Sequence, residues 1–249
     1  VTEARFPDLD GAAVLVTGGG SGIGAALVAG FAAQGARVSY LDLVAGDARG
    51  VPDEPLFIPC DVADLAALHD AVAAATDAHG PARILVNNVA DDTRHTTLEV
   101  DAVRWDAAMA VNLRSYFFAS QAVIPAMREA GGGSIVNLSS ISYVMGQAGY
   151  PLYTAANAGI TSLTRSLARE FGADGIRANA LGPGWVMTER QRALWATEEA
   201  VAAHLERQCL KRTLAPADMV GPALFLASAA SGAMTGQFMA VDGGVVTTG

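Results

Sequence analysis

The 249-residue sequence predicts an α/β chain built as one doubly wound parallel sheet with helices on both faces. Three observations carry that expectation. Short apolar runs alternate with longer amphipathic or alanine-rich stretches from end to end; a glycine-rich turn joins the first run to the first helical stretch; and no Pro/Ser-rich or charged linker divides the chain. Such alternation calls for parallel strands with right-handed crossovers. The expected sheet has seven strands in the order 3-2-1-4-5-6-7.

The strand-like runs are Ala13–Thr17, Arg37–Leu41, Leu56–Pro59, Arg83–Asn87, Ser134–Leu138, Arg177–Leu181 and Gln237–Val241. Helical stretches fall between them, at Gly22–Gln34, Leu65–His79, Val103–Met127, Tyr153–Phe171 and Pro216–Ala227. Thr188–Arg212, which carries Trp195, reads as an inserted helical lid rather than a sheet layer. Residues 1–249 are expected to form one domain with that lid, and its ligand should sit beyond the carboxyl ends of the strands.

With 51% apolar residues, few aromatics and much alanine, tightly packed helices can cover a sheet and a large core is easy to build. The net charge of −9, a pI near 4.8 and the lack of a basic cluster argue against nucleic acid or an anionic membrane as partner. A small molecule is the better candidate. Cys60, in an apparent strand, and Cys209, near a helix end, have neither disulfide nor zinc spacing, which suits a reducing cytoplasm. Val1–Gly11 is charged and lacks an apolar core, and no apolar run is long enough for a bilayer, so neither secretion nor membrane insertion is expected. His69, His79, His95 and His204 are scattered, which speaks against a metal site. Lys211 is the only lysine beside fifteen arginines, so a lysine-dependent mechanism is hard to rescue from elsewhere.

After the first strand comes Thr17-Gly18-Gly19-Gly20-Ser21-Gly22-Ile23-Gly24 and then a helix. Glycines there let backbone N–H groups approach a pyrophosphate, and the helix N-terminus adds donors and a favourable dipole. A tight turn without ligand has the same composition. No lysine follows, which excludes a triphosphate loop, although a methyl-donor cofactor remains compatible with such a fold. Asp42 ends the second strand eighteen residues after Gly24, where an acid accepts hydrogen bonds from ribose hydroxyls and repels a 2′-phosphate. That favours NAD over NADP.

Ser140 follows the fifth strand and Tyr153 opens the next helical stretch, a pair able to protonate and deprotonate a carbonyl or alcohol oxygen. Four residues on, sharing a helix face with the tyrosine, a cation would hold the phenol acidic, but that position is Asn157.

Taken in order, these pieces resemble the short-chain dehydrogenase/reductase family. The matches are the glycine loop, Asp42, Asp61-Val62, Asn87-Asn88, Asn112, Ser140, Tyr153, Pro183-Gly184-x-x-x-Thr188 and Val241-Asp242-Gly243-Gly244. The resemblance implies a Rossmann-type fold and a catalytic set of Asn112, Ser140, Tyr153 and the substituted Asn157. Ser140 would orient the substrate oxygen, Tyr153 would be the general acid/base and Asn112 would hold a relay water. By the same resemblance NAD would lie along Gly18, Gly20, Ser21, Gly22, Ile23, Gly24, Asp42, Leu43, Asn88, Val89, Ala90, Tyr153 and Asn157. Asp61 and Val62 would take the adenine; Pro183, Gly184, Val186 and Thr188 would take the nicotinamide end. A homotetramer built through Val103–Met127, Tyr153–Phe171 and the C-terminal segment is also implied.

A narrower resemblance, to bacterial NAD-dependent aldose 1-dehydrogenases acting on xylose, arabinose and related sugars, lies in three places. These are Asn87–His95, Trp105 with Met109–Arg114, and Gln208-Cys209-Leu210 with Leu214-Ala215-Pro216. It implies that Asp91, Ser142 and Gln191 could bind sugar hydroxyls beside Ser140 and Tyr153, with Trp185 or Trp195 as an apolar face.

Two departures from the family pattern stand out. Asn-Asn-Ala-Gly becomes Asn87-Asn88-Val89-Ala90, a mild change, whereas Tyr-x-x-x-Lys becomes Tyr153-x-x-x-Asn157 and touches mechanism. If losing the lysine raises the tyrosine pKa by roughly two units, available base falls about a hundredfold, or about 2.7 kcal/mol. The leading expectation is thus an impaired or alkaline-favouring NAD-linked sugar or small-alcohol dehydrogenase. The alternatives are a non-catalytic NAD(H)-binding protein and a reductase of acyl or lipid-like ketones, against which the polar Asp91–His95 loop argues.

Overall fold

Successive residues of the central strands serve two different cores, because side chains alternate across a pleated sheet. In the first strand Val14 and Val16 join one core and Leu15 the other; in the fourth, Ile84 and Val86 oppose Leu85. Each such side chain, once buried, contributes about 1.5–3 kcal/mol. The computed structural model describes residues 4–46 and 54–247, so Val1–Glu3 of the charged N-terminal stretch lie outside the described residues.

The strands are β1 (Ala13–Thr17), β2 (Arg37–Asp42), β3 (Leu56–Pro59), β4 (Ile84–Asn87), β5 (Gly133–Leu138), β6 (Ile176–Pro183) and β7 (Phe238–Val241). They pair in parallel in the order β3-β2-β1-β4-β5-β6-β7, as expected. Around them run α1 (Gly22–Ala32), α2 (Leu65–His79), α3 (Ala102–Met109), α4 (Ser115–Glu129), α5 (Pro151–Phe171), α6 (Glu189–Leu194), α7 (Glu198–Arg207) and α8 (Val220–Ala227). α1 and α8 cover one face of the sheet; α2, α4 and α5 cover the other. Arg177 fastens β6 to the end of α8 by donating to the carbonyls of Leu226 (2.9 Å), Ala227 (3.2 Å) and Ser228 (3.0 Å).

Three local expectations need correction. The stretch Val103–Met127 is not one regular helix, because α3 passes into a wider π-helical segment at Ala110–Arg114 before α4. There the side chain of Asn112 turns away to bond the main chain of Asp91 at both amide ends (2.7 and 3.1 Å). Such bulges gather at functional sites. The lid is helical only to Arg207, as α6 and α7 with Thr188 and Thr197 at their N-caps. Beyond it Gln208 holds an irregular turn by donating to Leu210 and Arg212 carbonyls (2.5 and 2.7 Å). Cys60 is buried just after β3 rather than within it. Among the described residues no helix is long and apolar enough to cross a membrane.

Candidate active site

The carboxyl ends of β1, β2, β4, β5 and β6 converge on one rim. Gly18 turns there with φ +71°, and a Cβ on it would lie 2.9 Å from Val89 Cγ2. A Cβ on Gly24 would strike the Gly18 carbonyl, so the loop folds back tightly only with glycine at both places. Asn88 seals this turn to the end of β4, donating from its side chain to the Gly18 carbonyl (2.8 Å) and from its backbone to Thr17 Oγ1 (3.0 Å). Ser21 occupies the N-cap of α1 without capping it, which leaves the first N–H groups of that helix for an anion. This is the fit expected of a pyrophosphate cradle.

Asp42 is locked at the end of β2, accepting from Gly20 N (2.8 Å) and Leu43 N (2.7 Å). A fixed carboxylate beside the loop suits a ribose diol and repels a phosphate.

Every residue expected to touch cofactor or substrate lines one cavity of about 1480 Å³. It exceeds the roughly 300–1,000 Å³ of a drug-sized pocket, so it can take a dinucleotide together with a second small molecule. At its centre Ser140 and Tyr153 stand together, with the Ser140 hydroxyl also accepting from Ser142 N (3.1 Å). Burial is the main cause that pushes the Tyr153 phenol up to about 12; the hydrogen bond with Ser140 opposes it most, Asp92 and Tyr150 add to the rise, and Asn157 lowers it least. No cation offsets that burial. Asn157 is buried and donates from its amide to the Tyr153 carbonyl one turn back (2.9 Å). The lone lysine is engaged elsewhere, Lys211 Nζ donating to the Leu205 and Glu206 carbonyls at the end of α7 (both 2.9 Å).

Several expected roles change once the contacts are known. Asn112 is at the site, with its side-chain amide bonded at both ends to the main chain of Asp91. Asp91 closes its own loop by accepting from Thr93 N (3.0 Å) and Thr93 Oγ1 (2.6 Å), and it is exposed. Gln191 accepts from Trp185 Nε1 (2.9 Å) and donates to Asp92 (2.7 Å), which makes it a lid strut more than a sugar ligand. Ser142 has a buried hydroxyl with no partner, and Trp185 meets His204 edge to face at 5.4 Å.

The sequence reading missed how much the Asp91–His95 loop ties together. His95 is buried, with Nδ1 against the Thr93 carbonyl (2.8 Å) and Nε2 receiving the Leu152 N–H at the start of α5 (3.4 Å). Asp92 meets Arg190 of the lid at 3.4 Å. Arg94 lies 3.7 Å over the Tyr150 ring and 5.2 Å from the Trp195 ring. The only sequence signal for this hub was the density of polar residues after β4.

A family model described as enoyl-(acyl carrier protein) reductase matches residues 18–246. A probable galactose dehydrogenase of Rhizobium meliloti is 50% identical over 251 residues, covering 98% of each chain. A D-xylose 1-dehydrogenase of Caulobacter vibrioides is 41% identical over 98% of this chain and 99% of its own. The crystal structure of a candidate 2-deoxy-D-gluconate 3-dehydrogenase from Agrobacterium tumefaciens, with NADP bound, superimposes with TM-score 0.89 and 35% identity, covering 97% and 99%. The chain belongs to the short-chain dehydrogenase/reductase family. It is an oxidoreductase of that class, which works with a nicotinamide cofactor.

Proposed function

We propose that the chain is an NAD-linked aldose 1-dehydrogenase whose turnover is held down by Asn157. What carries this reading is the Ser140–Tyr153 pair in a cavity that also holds Asp91, Asp92, Arg94 and Arg190, in a chain half identical to a probable galactose dehydrogenase. In the forward direction the phenolate of Tyr153 takes the proton of the anomeric hydroxyl as a lactone forms, with Ser140 holding that oxygen. The cofactor, when bound, accepts the hydride from the same carbon. Asp42 supports NAD over NADP because its carboxylate is fixed where a 2′-phosphate would lie. With its pKa near 12, only about one Tyr153 phenol in ten thousand is ionised at pH 8. Oxidation is therefore slow near neutrality and faster in alkali.

A non-catalytic NAD(H)-binding role is favoured by the same missing charge. The acyl-ketone reading is disfavoured by the Asp91, Asp92, Arg94 and Arg190 wall, whose charged groups an apolar chain would desolvate without pairing. We further infer a homotetramer joined through α3 to α5 and the C-terminal segment, supported by Val103, Trp105 and Phe117, large apolar side chains left exposed on α3 and α4.

The deciding experiment follows NADH formation over pentoses and hexoses for this chain and Asn157→Lys. We expect a gain of about a hundredfold for the lysine variant on at least one aldose near neutral pH. NAD binding with no turnover by either protein would leave the non-catalytic reading standing.

A further inference from the structure

Native interiors rarely leave polar side-chain atoms unpaired, so a cluster of them asks for an explanation. Among the described residues six buried side-chain atoms have no hydrogen-bond partner: Asn87 Oδ1, Arg94 Nη1, Ser142 Oγ, Trp195 Nε1, His204 Nε2 and Gln208 Oε1. Four of these residues, Arg94, Ser142, Trp195 and His204, line the one large cavity, and all four lie at its lid end. They come from three separated stretches of chain, the loop after β4, the loop after β5 and the lid, so no local turn accounts for their gathering.

Ser142 lies beside the Tyr150 hydroxyl and His204 beside the Gln208 amide, each short of a well-formed hydrogen bond, while ring contacts leave the N–H edges of Arg94 and Trp195 free. Arg94 is gripped by ring faces, Tyr150 at 3.7 Å and Trp195 at 5.2 Å, and a cation over a ring uses its plane rather than its N–H edge. Its nearest carboxylate oxygen, Asp92 Oδ2, is 4.0 Å away and already accepts from Gln191 (2.7 Å), while Arg190 meets the other oxygen of that carboxylate (3.4 Å). His204 touches Trp185 edge to face, and burial followed by the nearby Arg207 lowers its pKa, so its ring is neutral near pH 7.

We propose that Arg94, Ser142, Trp195 and His204 form the subsite that reads the hydroxyls of a neutral sugar away from the reacting carbon. This rests on the sugar-dehydrogenase reading and adds which residues set its selectivity. Arg94 and Trp195 can only donate, whereas Ser142 and neutral His204 can donate or accept, and sugar hydroxyls do both. An acyl chain would leave all four unpaired. Arg94 and Arg190 are already answered by the two carboxylates of Asp91 and Asp92. All four atoms are shielded from solvent as the lid lies, so the lid helices must shift for a sugar to reach them.

The test is calorimetric titration of D-galactose and D-xylose into the NADH complex of this chain and of Trp195→Phe, Ser142→Ala, Arg94→Met and His204→Phe. Trp195→Phe keeps a ring and removes only the N–H, so it isolates recognition from packing. Sugar Kd should rise about three- to tenfold for Trp195→Phe and Ser142→Ala and more than tenfold for Arg94→Met, with NADH affinity unchanged. The penalty of Trp195→Phe should vanish for the one monodeoxy sugar that lacks the hydroxyl it contacts. In the Asn157→Lys background, KM for the sugar should move by the same factors while kcat holds. Sugar binding that is unaltered in all four variants, or lost in step with NADH binding, would overturn the subsite while leaving the dehydrogenase reading intact. If neither the parent nor Asn157→Lys binds or oxidises any sugar, both readings fall together.

Discussion

The two ends of the cavity are built on opposite plans. At the glycine-loop end, short backbone segments in one order along the chain make the site, their side chains engaged within the rim, Asp42 with Gly20 and Asn88 with Gly18, while the first N–H groups of α1 stay open. At the substrate end, side chains from the Asp91–His95 loop, the Ser140–Tyr153 segment and the lid meet across the fold, and several polar atoms are left over. A backbone cradle serves one constant ligand part, whereas an assembly of side chains can be retuned residue by residue. Asn157 sits on the seam between them.

The sharpest break of this comparison is at the seam. In the Asn157→Lys background, Tyr153→Phe should remove at least about a thousandfold of sugar turnover at every pH while NAD affinity changes little, since the phenol beside Ser140 is the group that takes the proton. Retained turnover would move the base to another group.

Next comes pH. Tyr153 must be ionised to accept a proton, and its pKa is pushed up to about 12, so turnover of the parent should climb about tenfold per pH unit from 8 to 10. Asn157→Lys should flatten that climb. The same raised pKa means that the folded state holds its proton more tightly than an unfolded tyrosine near 10. The associated stability is fully present below pH 10 and is lost as pH rises toward 12, at most about 2.7 kcal/mol. Circular dichroism beside the assays should show the unfolding midpoint in urea falling over that window and not below it.

A smaller effect tests the cofactor end. Asp42→Asn removes the charge and, with one acceptor oxygen in place of two, keeps only one of the Gly20 and Leu43 contacts; it should shift preference toward NADP about tenfold with sugar KM unmoved. Cofactor competition kinetics would read it. Smallest of all, Arg190→Ala loosens the lid from Asp91 and Asp92 across exposed contacts, and should raise sugar KM only about two- to fivefold. If it instead altered NAD affinity, the two ends would be coupled rather than separate.

Strand order, the glycine turn, Asp42 and the Ser140–Tyr153 pair were readable in the sequence because each depends on neighbours a few residues away. Alternating hydrophobicity set the sheet, φ demands set the glycines, and helical spacing put Asn157 on the face of Tyr153. The break at Ala110–Arg114 was not readable, because it arises where Asn112 reaches Asp91 twenty-one residues away. Nor were the roles of Asp92, Arg94, His95 and Tyr150, or the conversion of Gln191 from expected ligand to strut. The sequence by itself determined the fold, the cofactor cradle and the missing charge, since periodicity and local backbone geometry are written in adjacent residues. Only the tertiary structure decided which side chains line the cavity and which are bound up with one another. That choice depends on contacts between segments about a hundred residues apart, such as Gln191 with Asp92, which no local pattern encodes.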